Sequence, residues 1–484
     1  MRALAAAFVA QLLGGCATGL FGNVGPDYTP VPPPAPAAWH ARTPEELPHA
    51  GSTRQLADWW AQFRDPALDA MLAAAQTQSN TLAQAAATIE RSRAEAIAAG
   101  ATALPSLEGI ASANRAAFTF GGPAAYRTQL QVGLQSSWEI DLFGALARQR
   151  ESAQAAFEAN VASWHDARVS LAAEVANAYV NLRHCEILVA QAVADANSRA
   201  AAARATEAAG QAGLQSRSTV ALAQASAAEA SSILSQRRAQ CDLFVKGLVA
   251  LSALEETALR ALLMRSGAGR LPQPQQFRVD SLPARVVAQR PDVAAAERRV
   301  AAASADIGRA EADRYPRLTL AGSITPTRIS IDSAPALSLT TWSIGPSLVL
   351  PLFDGGRRAA NVDAFRAQYA AADFAYRAKV RSAVREVEEA MVRLASAAER
   401  EADTITSARG YRANLEGAKI RLDAGFGNVL EIEDARRLSL AADAAVAALA
   451  QERVAAWVAL YRAVGGGWST PDPPDRESPN RKPS

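Results

Sequence analysis

The sequence lacks the features on which most enzymes and nucleic-acid-binding proteins depend. Its four histidines, at positions 40, 49, 165 and 184, are scattered without the spacing of metal ligands. It contains no Gly-x-Ser-x-Gly, no His-Glu-x-x-His and no phosphate-cradling glycine loop. The formal net charge is only +2, so the chain lacks the excess of positive charge that is typical of nucleic-acid-binding proteins. We therefore expect no catalytic site, no metal, no other cofactor and no nucleic-acid partner.

Cysteine is scarce, and no long apolar run follows the N-terminal segment. With 3 cysteines in 484 residues, the chain is not a disulfide-dense scaffold. After residue 16 there is no stretch of about 18 apolar residues, so no helix is expected to cross a membrane. His184 and Cys185 are adjacent, but neighbours on a helix point in different directions, which makes a metal site there the weaker interpretation.

The N-terminus carries a positive charge and then a short, mainly apolar run. This is typical of a secretory signal and too short to span a bilayer. Its end, Leu13-Gly14-Gly15-Cys16, resembles the cleavage box of bacterial lipoproteins, in which the cysteine becomes the acylated first residue. A plain signal with a chance cysteine is the alternative. We expect removal of residues 1–15 and a covalent lipid on Cys16, and Ala17, where an aspartate would resemble an inner-membrane retention signal, favours the outer membrane.

Proline-rich segments flank the body of the chain. The first runs from Tyr28 to Pro48, and the second begins at Gly465 and continues to the end. Such compositions do not pack a core. We assign 16–57 to an extended leader that begins with the acylated cysteine, and 465–484 to a flexible tail.

The body between these segments is an internal duplication. Four motifs recur in the same order at a nearly constant offset of 210 to 212 residues. The motifs are Leu104-Pro105-Ser106-Leu107 with Tyr315-Pro316-Arg317-Leu318, Leu142-Phe143-Gly144 with Leu352-Phe353-Asp354, Glu174-Val175 with Glu386-Val387, and Ala212-Gly213 with Ala424-Gly425. We therefore place a first repeat at 58–265 and a second at 266–464.

Each repeat is predicted to open with a helix and to continue with two strands. Residues 129–142 alternate between mostly apolar even positions and mostly polar odd positions, and two stretches of the second repeat do the same. The strand near 106–120 is placed mainly by its position in the repeat. A half-buried sheet would also alternate. Strands of roughly 10 or more residues, with Glu139 and Asp141 on the polar face, favour a water-filled transmembrane β-barrel.

Four strands cannot close a barrel, and lipid does not tolerate an open strand edge. The chain is therefore expected to oligomerise. Three copies would supply twelve strands, enough for an aqueous lumen.

Two very long helices follow the strands. Residues 145–209 and 357–423 contain no proline and are rich in alanine. At ~1.5 Å per residue each would be roughly 100 Å long. A glycine-containing turn and a returning helix follow each one, which is typical of coiled-coil-like hairpins. A solid coiled-coil rod, as in a spacer protein or an adhesin, is the alternative, but it leaves the four strands unexplained.

The two remaining cysteines lie at equal distances from one of these turns. Gly213 is the midpoint between Cys185 and Cys241, so in an antiparallel hairpin the two residues face each other. In an oxidising compartment they would form a disulfide if their Cα atoms lie within about 7 Å. Two unpaired buried cysteines are the alternative.

Several motifs together resemble the TolC/OprM-type outer-membrane factors, most strongly their lipoprotein, NodT-like branch. The motifs are Gly25-Pro26-Asp27-Tyr28, the Trp-rich segment 58–68, Arg290-Pro291-Asp292-Val293, Ala305-Asp306-Ile307-Gly308 and Tyr315-Pro316. The likeness covers the chain from about residue 16 to 464. Asp65-Pro66 is also a helix N-cap followed by proline at the first helical position.

The resemblance implies a mainly α protein with a transmembrane β-barrel. Three copies would form a twelve-stranded outer-membrane barrel continued by a twelve-helix periplasmic tunnel. Such a trimer is a passive exit duct for small molecules, drugs or metals, and works with a periplasmic adaptor and an inner-membrane pump of the RND type. A type I protein-secretion duct is the alternative, and the sequence does not identify the substrate.

The resemblance also implies a periplasmic gate beside the turns at Gly213 and Gly425. Residues 425–435 resemble the family's tip segment, in which acidic residues ring the constriction. Glu431 and Asp434 match those positions, although the family often has aspartate at the first. The first repeat has Thr219 and Leu222 there, so a ring would come from the second repeat alone. Local pairing of Asp434 with Arg436 or Arg437 is the alternative to a ring.

The lipid anchor is directly testable. We expect that Cys16→Ala abolishes incorporation of radiolabelled fatty acid, because the acylated thiol is removed. Label remaining on that variant would show that the anchor has been assigned to the wrong residue. Lost labelling need not abolish transport, since the strands would still insert.

Overall fold

The computed structural model describes residues 22–30, 32–36, 38–41, 59–119, 121, 124–273, 283–332, 334–466 and 468. The expectations for the signal segment and for Cys16 lie outside these residues. So do those for most of the proline-rich tail.

The chain passes twice through the expected order of elements. The first pass comprises a 3-10 helix Trp59–Phe63, α1 Pro66–Gln78, α2 Asn80–Ala101, β1 Ser106–Phe118, β2 Ala125–Ile140, α3 Ala145–Gln211 and α4 Arg217–Ser252. Helix α5 Glu256–Arg265 closes the first pass. The second comprises α6 Pro283–Ala288, α7 Pro291–Ala312, β3 Arg317–Ile331, β4 Leu337–Val349, α8 Arg357–Asp423 and α9 Val429–Ala463. Helices α3 and α8 have 67 residues each. The order of strands and long helices predicted from the duplication is confirmed.

The compact units of the structure cut across the two repeats. One, here called the sheet unit, comprises Met1–Val31, Ala87–Val161 and Ala295–Arg377. The other, the hairpin unit, comprises the remainder, Pro32–Ala86, Ala162–Ala294 and Ala378–Ser484. Each unit therefore contains corresponding parts of both repeats.

The sheet unit carries one antiparallel sheet in the order β1-β2-β3-β4. Its register sets Leu134 beside Ile324 and Ile324 beside Trp342, so one face is apolar. Trp342 on this face is 73% exposed. The opposite face is polar, and there Gln135 donates to Glu108 at 2.8 Å. The sheet thus has an apolar face open to its surroundings and, in β1 and β4, two edge strands.

The leader packs on the sheet unit through a buried arginine of α3. The guanidinium of Arg148, 2% exposed, donates to Asp27 at 2.6 Å and to the carbonyl of Val24. A Cβ at Gly308 would lie 2.9 Å from that carbonyl oxygen and 2.8 Å from Arg148 Nε, so only glycine fits there. These contacts explain why the Gly-Pro-Asp-Tyr leader and the Ala-Asp-Ile-Gly segment occur together.

An aromatic cluster fills the core of the hairpin unit. Trp59 is fully buried, its ring stacks on Tyr461 at 4.8 Å, and Trp60 meets Tyr461 edge-on. Asp65 accepts from the backbone N–H of Ala67 at 3.0 Å, as expected of the N-cap of α1. It also accepts from the Tyr179 hydroxyl. Burial and this carboxylate raise the pKa of Tyr179 to about 12, so the phenol remains a donor.

A disulfide joins α3 and α4 within the hairpin unit. Cys185 and Cys241 are bonded, with their Cα atoms 5.6 Å apart. This is the pairing that the midpoint at Gly213 predicts. A disulfide sulfur is not a thiolate, so Cys185 in this state is not a metal ligand beside His184. Burial, with Arg237 nearby, lowers the pKa of His184, which favours its neutral form.

Arg290 joins the middle of α8 to the end of α9 in the same unit. It is 4% exposed and makes a bidentate contact with Asp292, at 2.9 Å for each bond. It also donates to Glu386 of α8 at 2.8 Å and to the carbonyl of Ala463, the last residue of α9, at 2.9 Å. Burial opposes the charged form of Asp292, but the bonds from Arg290 outweigh it and lower the Asp292 pKa.

Within the described ranges, no helix of 18 or more residues contains a segment apolar enough to cross a bilayer.

Replacing Arg290 should destabilise the hairpin unit. Arg290→Met leaves Asp292 and Glu386 without their shared cation, and breaking a buried ion pair costs about 3–5 kcal/mol. The free energy of unfolding should fall by that order in denaturant titrations.

The matched control is Lys379→Gln, whose ammonium lies 3.6 Å from Asp292 but is 45% exposed. It should change stability by less than about 1 kcal/mol. The Asp292 carboxylate, with its lowered pKa, stabilises the wild type at neutral pH, and this contribution is lost as the pH falls through that pKa. The deficit of Arg290→Met should therefore shrink at acidic pH. A deficit independent of pH would contradict the electrostatic explanation.

Candidate functional site

The two hairpin turns have the same backbone design. Gly213 and Gly425, 212 residues apart, have φ angles of +76° and +79°, the left-handed region that favours glycine. After each glycine, a backbone N–H reaches back to a helix carbonyl: Leu214 to Ala209 and Phe426 to Arg421, both at 2.8 Å. This is the Schellman termination of a helix. The tip turns therefore lie at the positions predicted from the duplication.

The returning helices are also capped alike, but the side chains that follow differ. Ser216 accepts from the backbone N–H of Thr219 at 3.1 Å, and Asn428 accepts from that of Glu431 at 2.9 Å. The second hairpin thus places a carboxylate in the first turn of α9, where the helix dipole favours negative charge. The first hairpin has a hydroxyl there. The difference between the repeats seen in the sequence is retained in the fold.

Glu431 and Asp434 lie one helical turn apart on α9, and both are accessible to solvent. The Glu431 side chain is 39% exposed and accepts hydrogen bonds from Arg421 of α8. The Asp434 side chain is 60% exposed and lies 3.3 Å from Arg437. Each carboxylate therefore has an arginine of its own chain as partner, and for Asp434 this is the local pairing considered as an alternative. An acidic ring requires further copies and stays a prediction.

A cleft of about 860 Å³ lies beside these residues in the hairpin unit. Among the residues that line it are Arg199 of α3, Leu222 and Ser226 of α4, and Leu430 and Glu433 of α9. Leu222 and Leu430 are more than half exposed. The cleft thus brings together the tips of the first and second hairpins.

A buried charge cluster holds the two hairpins together at this cleft, and the sequence did not reveal it. Arg199 lies 3.0 Å from Asp195 on α3 and 3.7 Å from Glu433 on α9. Arg436 on α9 pairs with Glu433 and lies 4.0 Å from Asp195. The two arginines and two acids balance, and each of the four side chains is no more than 21% exposed. The oppositely charged pairs at helical spacing, 195 with 199 and 433 with 436, are the signal that could have located it.

The second hairpin is also joined along its length by ion pairs between α8 and α9. Arg412 pairs with Asp443 at 2.6 Å, and Arg400 pairs with Glu452 at 2.8 Å. Each such exposed pair contributes only about 0–1 kcal/mol. The hairpin of α3 and α4 has a partly exposed pair, Arg199 with Glu229 at 3.7 Å, and is joined in addition by its disulfide.

The described part of the chain contains no group of three or more His, Cys, Asp or Glu side chains that could hold a metal ion.

Comparisons with known proteins agree on one family. The family model for the outer membrane efflux protein matches residues 71–253 and 282–466. Nodulation protein T of Rhizobium leguminosarum bv. viciae is 31% identical over 479 residues, which cover 97% of this chain and 94% of that protein. Outer membrane protein OprJ of Pseudomonas aeruginosa is 28% identical, with 96% of each chain covered. The structure of the outer-membrane channel OprN is similar with a TM-score of 0.79, at 29% identity over 92% of this chain and 99% of that one.

The buried cluster yields a test of how the two hairpins are held together. Glu433→Gln removes one of the two acids and leaves Asp195 as the one acid of the buried cluster beside Arg199 and Arg436. We expect amide hydrogen exchange in residues 429–440 to accelerate about tenfold or more, corresponding to a loss of about 1.4 kcal/mol or more of local stability.

Glu229→Gln is the matched control. Its carboxylate lies 3.7 Å from the same arginine, Arg199, but is 68% exposed. Exchange in 429–440 should remain as in the wild type. Equal acceleration in both variants would mean that general charge loss, and not the buried cluster, sets the stability of this segment.

Proposed function

Since this chain belongs to the outer membrane efflux protein family, we propose that three copies assemble into one channel through which small molecules leave the cell. The protein is the outer-membrane channel component of an efflux system, with its helical tunnel in the periplasm. The proposal concerns how copies of the chain complete that channel, and with which partners.

The observation that supports three copies is the sheet. It has one apolar face, which is exposed, one polar face, and edges at β1 and β4. In hydrocarbon, the free N–H and C=O groups of an edge strand each cost several kcal/mol. Pairing β1 of one copy with β4 of the next removes both edges. Three copies give twelve strands, within the range of water-filled outer-membrane barrels.

The long helices support the proposal that the channel works with partners in the periplasm and the inner membrane. At ~1.5 Å per residue, α3 and α8 each reach about 100 Å, which carries the channel deep into the periplasm. At the turns, Leu214 is 77% exposed and Phe426 is 86% exposed. We assign these apolar tips to docking of a periplasmic adaptor that links the channel to an inner-membrane pump of the RND type. The cargo is drugs or metals, selected by the pump, and the duct itself is passive.

Two covalent features complete the proposal. Acylation of Cys16 would anchor each copy in the lipid of the outer membrane. The disulfide between Cys185 and Cys241 would form in the oxidising periplasm, where such bonds persist.

The assembly is tested on the purified full-length protein. Light scattering in detergent should give three chains per particle, and the same preparation should conduct ions in planar bilayers. A monomer, or a trimer that does not conduct, would contradict the proposal.

The gate is tested by removing its carboxylates. Three-fold symmetry would bring Glu431 and Asp434 of each copy around one axis, where they attract cations. Glu431→Ala with Asp434→Ala should therefore weaken cation preference and block by multivalent cations in planar bilayers, and each single substitution should have an intermediate effect. Glu431→Lys should reverse the selectivity if the ring is the narrowest point.

Two further variants sharpen this test. Arg421→Gln removes the own-chain partner of Glu431 and should raise cation preference. Asp443→Asn also removes an acid from α9, but one that is only 20% exposed and lies nine residues beyond Asp434, away from the turn, and should leave selectivity unchanged. If the double variant retains wild-type selectivity and block, then Glu431 and Asp434 have structural roles and the constriction lies elsewhere.

A further inference from the structure

Two arginines lie on the apolar face of the sheet, at the end away from the long helices. The register sets Arg115 of β1 opposite Thr128 and Arg328 of β3 opposite Leu130. Successive residues of a strand point to opposite faces, so both arginines share the face of Leu134. Both are exposed. A charged residue on this face needs a reason, since the face is otherwise mainly apolar.

The two arginines lie about as far from the helix end of the sheet as the apolar band of an outer-membrane barrel is tall. We call this end of the sheet the rim. Along β2, Leu130 and Thr128 lie eight and ten residues from Trp138, which is close to the start of α3. At about 3.3 Å per residue these are roughly 26 and 33 Å along the strand. A tilt of about 40° reduces them to roughly 20 and 25 Å, and 25 Å is about the height of the apolar band of outer-membrane barrels. Because the helices lie in the periplasm, this rim meets the outer leaflet.

Neither guanidinium has an anionic partner within the part of the chain that the structure describes. Arg115 lies over the ring of Tyr126, 5.3 Å from its centroid, a cation–π contact that leaves its N–H groups available. The loops at this end, 119–124 and 332–336, contain a single acid, Asp332. Its carboxylate accepts from the backbone N–H of Tyr126 at 2.9 Å. The rim is therefore basic and is flanked by an aromatic ring.

The spacing of the two arginines indicates which anion they bind. Strands β1 and β3 are separated by β2, which gives about 9.6 Å sideways, and an offset of two residues adds about 6.6 Å along the strand. The Cα atoms are thus about 12 Å apart, and long side chains at this distance suit a head group with two separated phosphates. Guanidinium binds phosphate through two parallel hydrogen bonds, which lysine does not offer.

We propose that Arg115 and Arg328, with Tyr126 beside them, bind the phosphate groups of a phosphorylated glycolipid in the outer leaflet. The inference rests on the proposed function, because it requires the apolar face of the sheet to meet lipid. The bound lipid would fix the height of the barrel in the membrane and neutralise the two charges at its rim.

The test uses the full-length protein in a neutral detergent, titrated with lipid A, an acylated glucosamine disaccharide that carries two phosphates. Native mass spectrometry counts the bound lipid. A basic residue near an anionic surface contributes about fivefold in affinity. We therefore expect Arg115→Gln with Arg328→Gln to weaken binding on the order of 25-fold.

Arg127→Gln is the matched control. Arg127 lies on β2 at the same end of the sheet but on the polar face, where it donates to Gln129. This variant should bind lipid A as the wild type does. Arg115→Lys with Arg328→Lys keeps both charges without the paired hydrogen bonds and should recover part of the binding, which separates loss of charge from misfolding.

Two ligand controls identify the source of the phosphate. Lipid A without its two phosphates should bind the wild type only weakly. Its affinity should be no higher than that of intact lipid A for the double glutamine variant. Inorganic phosphate at the same concentration should not displace the lipid.

Unchanged binding by the double glutamine variant, equal loss in Arg127→Gln, or displacement by inorganic phosphate would overturn the inference. Conductance of the same wild-type preparation in neutral bilayers reports separately on the proposed function: a conducting trimer that does not retain lipid A refutes the lipid site alone.

Discussion

Every backbone group of a strand that meets lipid must find a hydrogen-bond partner, because hydrocarbon supplies none. This constraint explains the arrangement of the chain. The ladder between β2 and β3 pairs a strand of the first repeat with a strand of the second, so the duplicated halves form one sheet. The edges that remain, β1 and β4, belong to different repeats. A sheet with one edge from each half is suited to pairing with further copies of itself.

Buried arginines connect the segments that the sheet does not. Arg148 joins the leader to α3, Arg290 joins the middle of α8 to the end of α9, and Arg436 takes part in the cluster at the cleft. Each is less than 10% exposed and has at least one carboxylate partner. An arginine suits such a joint because its planar fork bonds several acceptors at once. The alanine-rich helices, which offer little side-chain volume for a large core, are thus joined by specific polar contacts.

The two hairpins share a backbone but differ in what holds them together. Their turns have the same backbone hydrogen bonds and a glycine at the same position, as expected of duplicated segments. The first is joined by a disulfide and a partly exposed ion pair, and the second by a row of exposed ion pairs. A covalent bond does not weaken with ionic strength, whereas exposed ion pairs do. The second hairpin is therefore the one more sensitive to salt and to approaching charges, and it also carries Glu431 and Asp434.

The sequence by itself determined the duplicated order of helices and strands, the faces of the sheet and the turns at Gly213 and Gly425. It also predicted the pairing of Cys185 with Cys241, with two unpaired cysteines left as the alternative. These features follow from local periodicity, turn chemistry and distance along an antiparallel hairpin. None of these requires knowledge of which residues are in contact in the folded chain. Only the tertiary structure decided how the charges pair. The cluster around Glu433, the contacts of Arg290 and the pairing of Glu431 with Arg421 join residues from different elements. Such pairing depends on helix rotation and register, which one sequence does not specify.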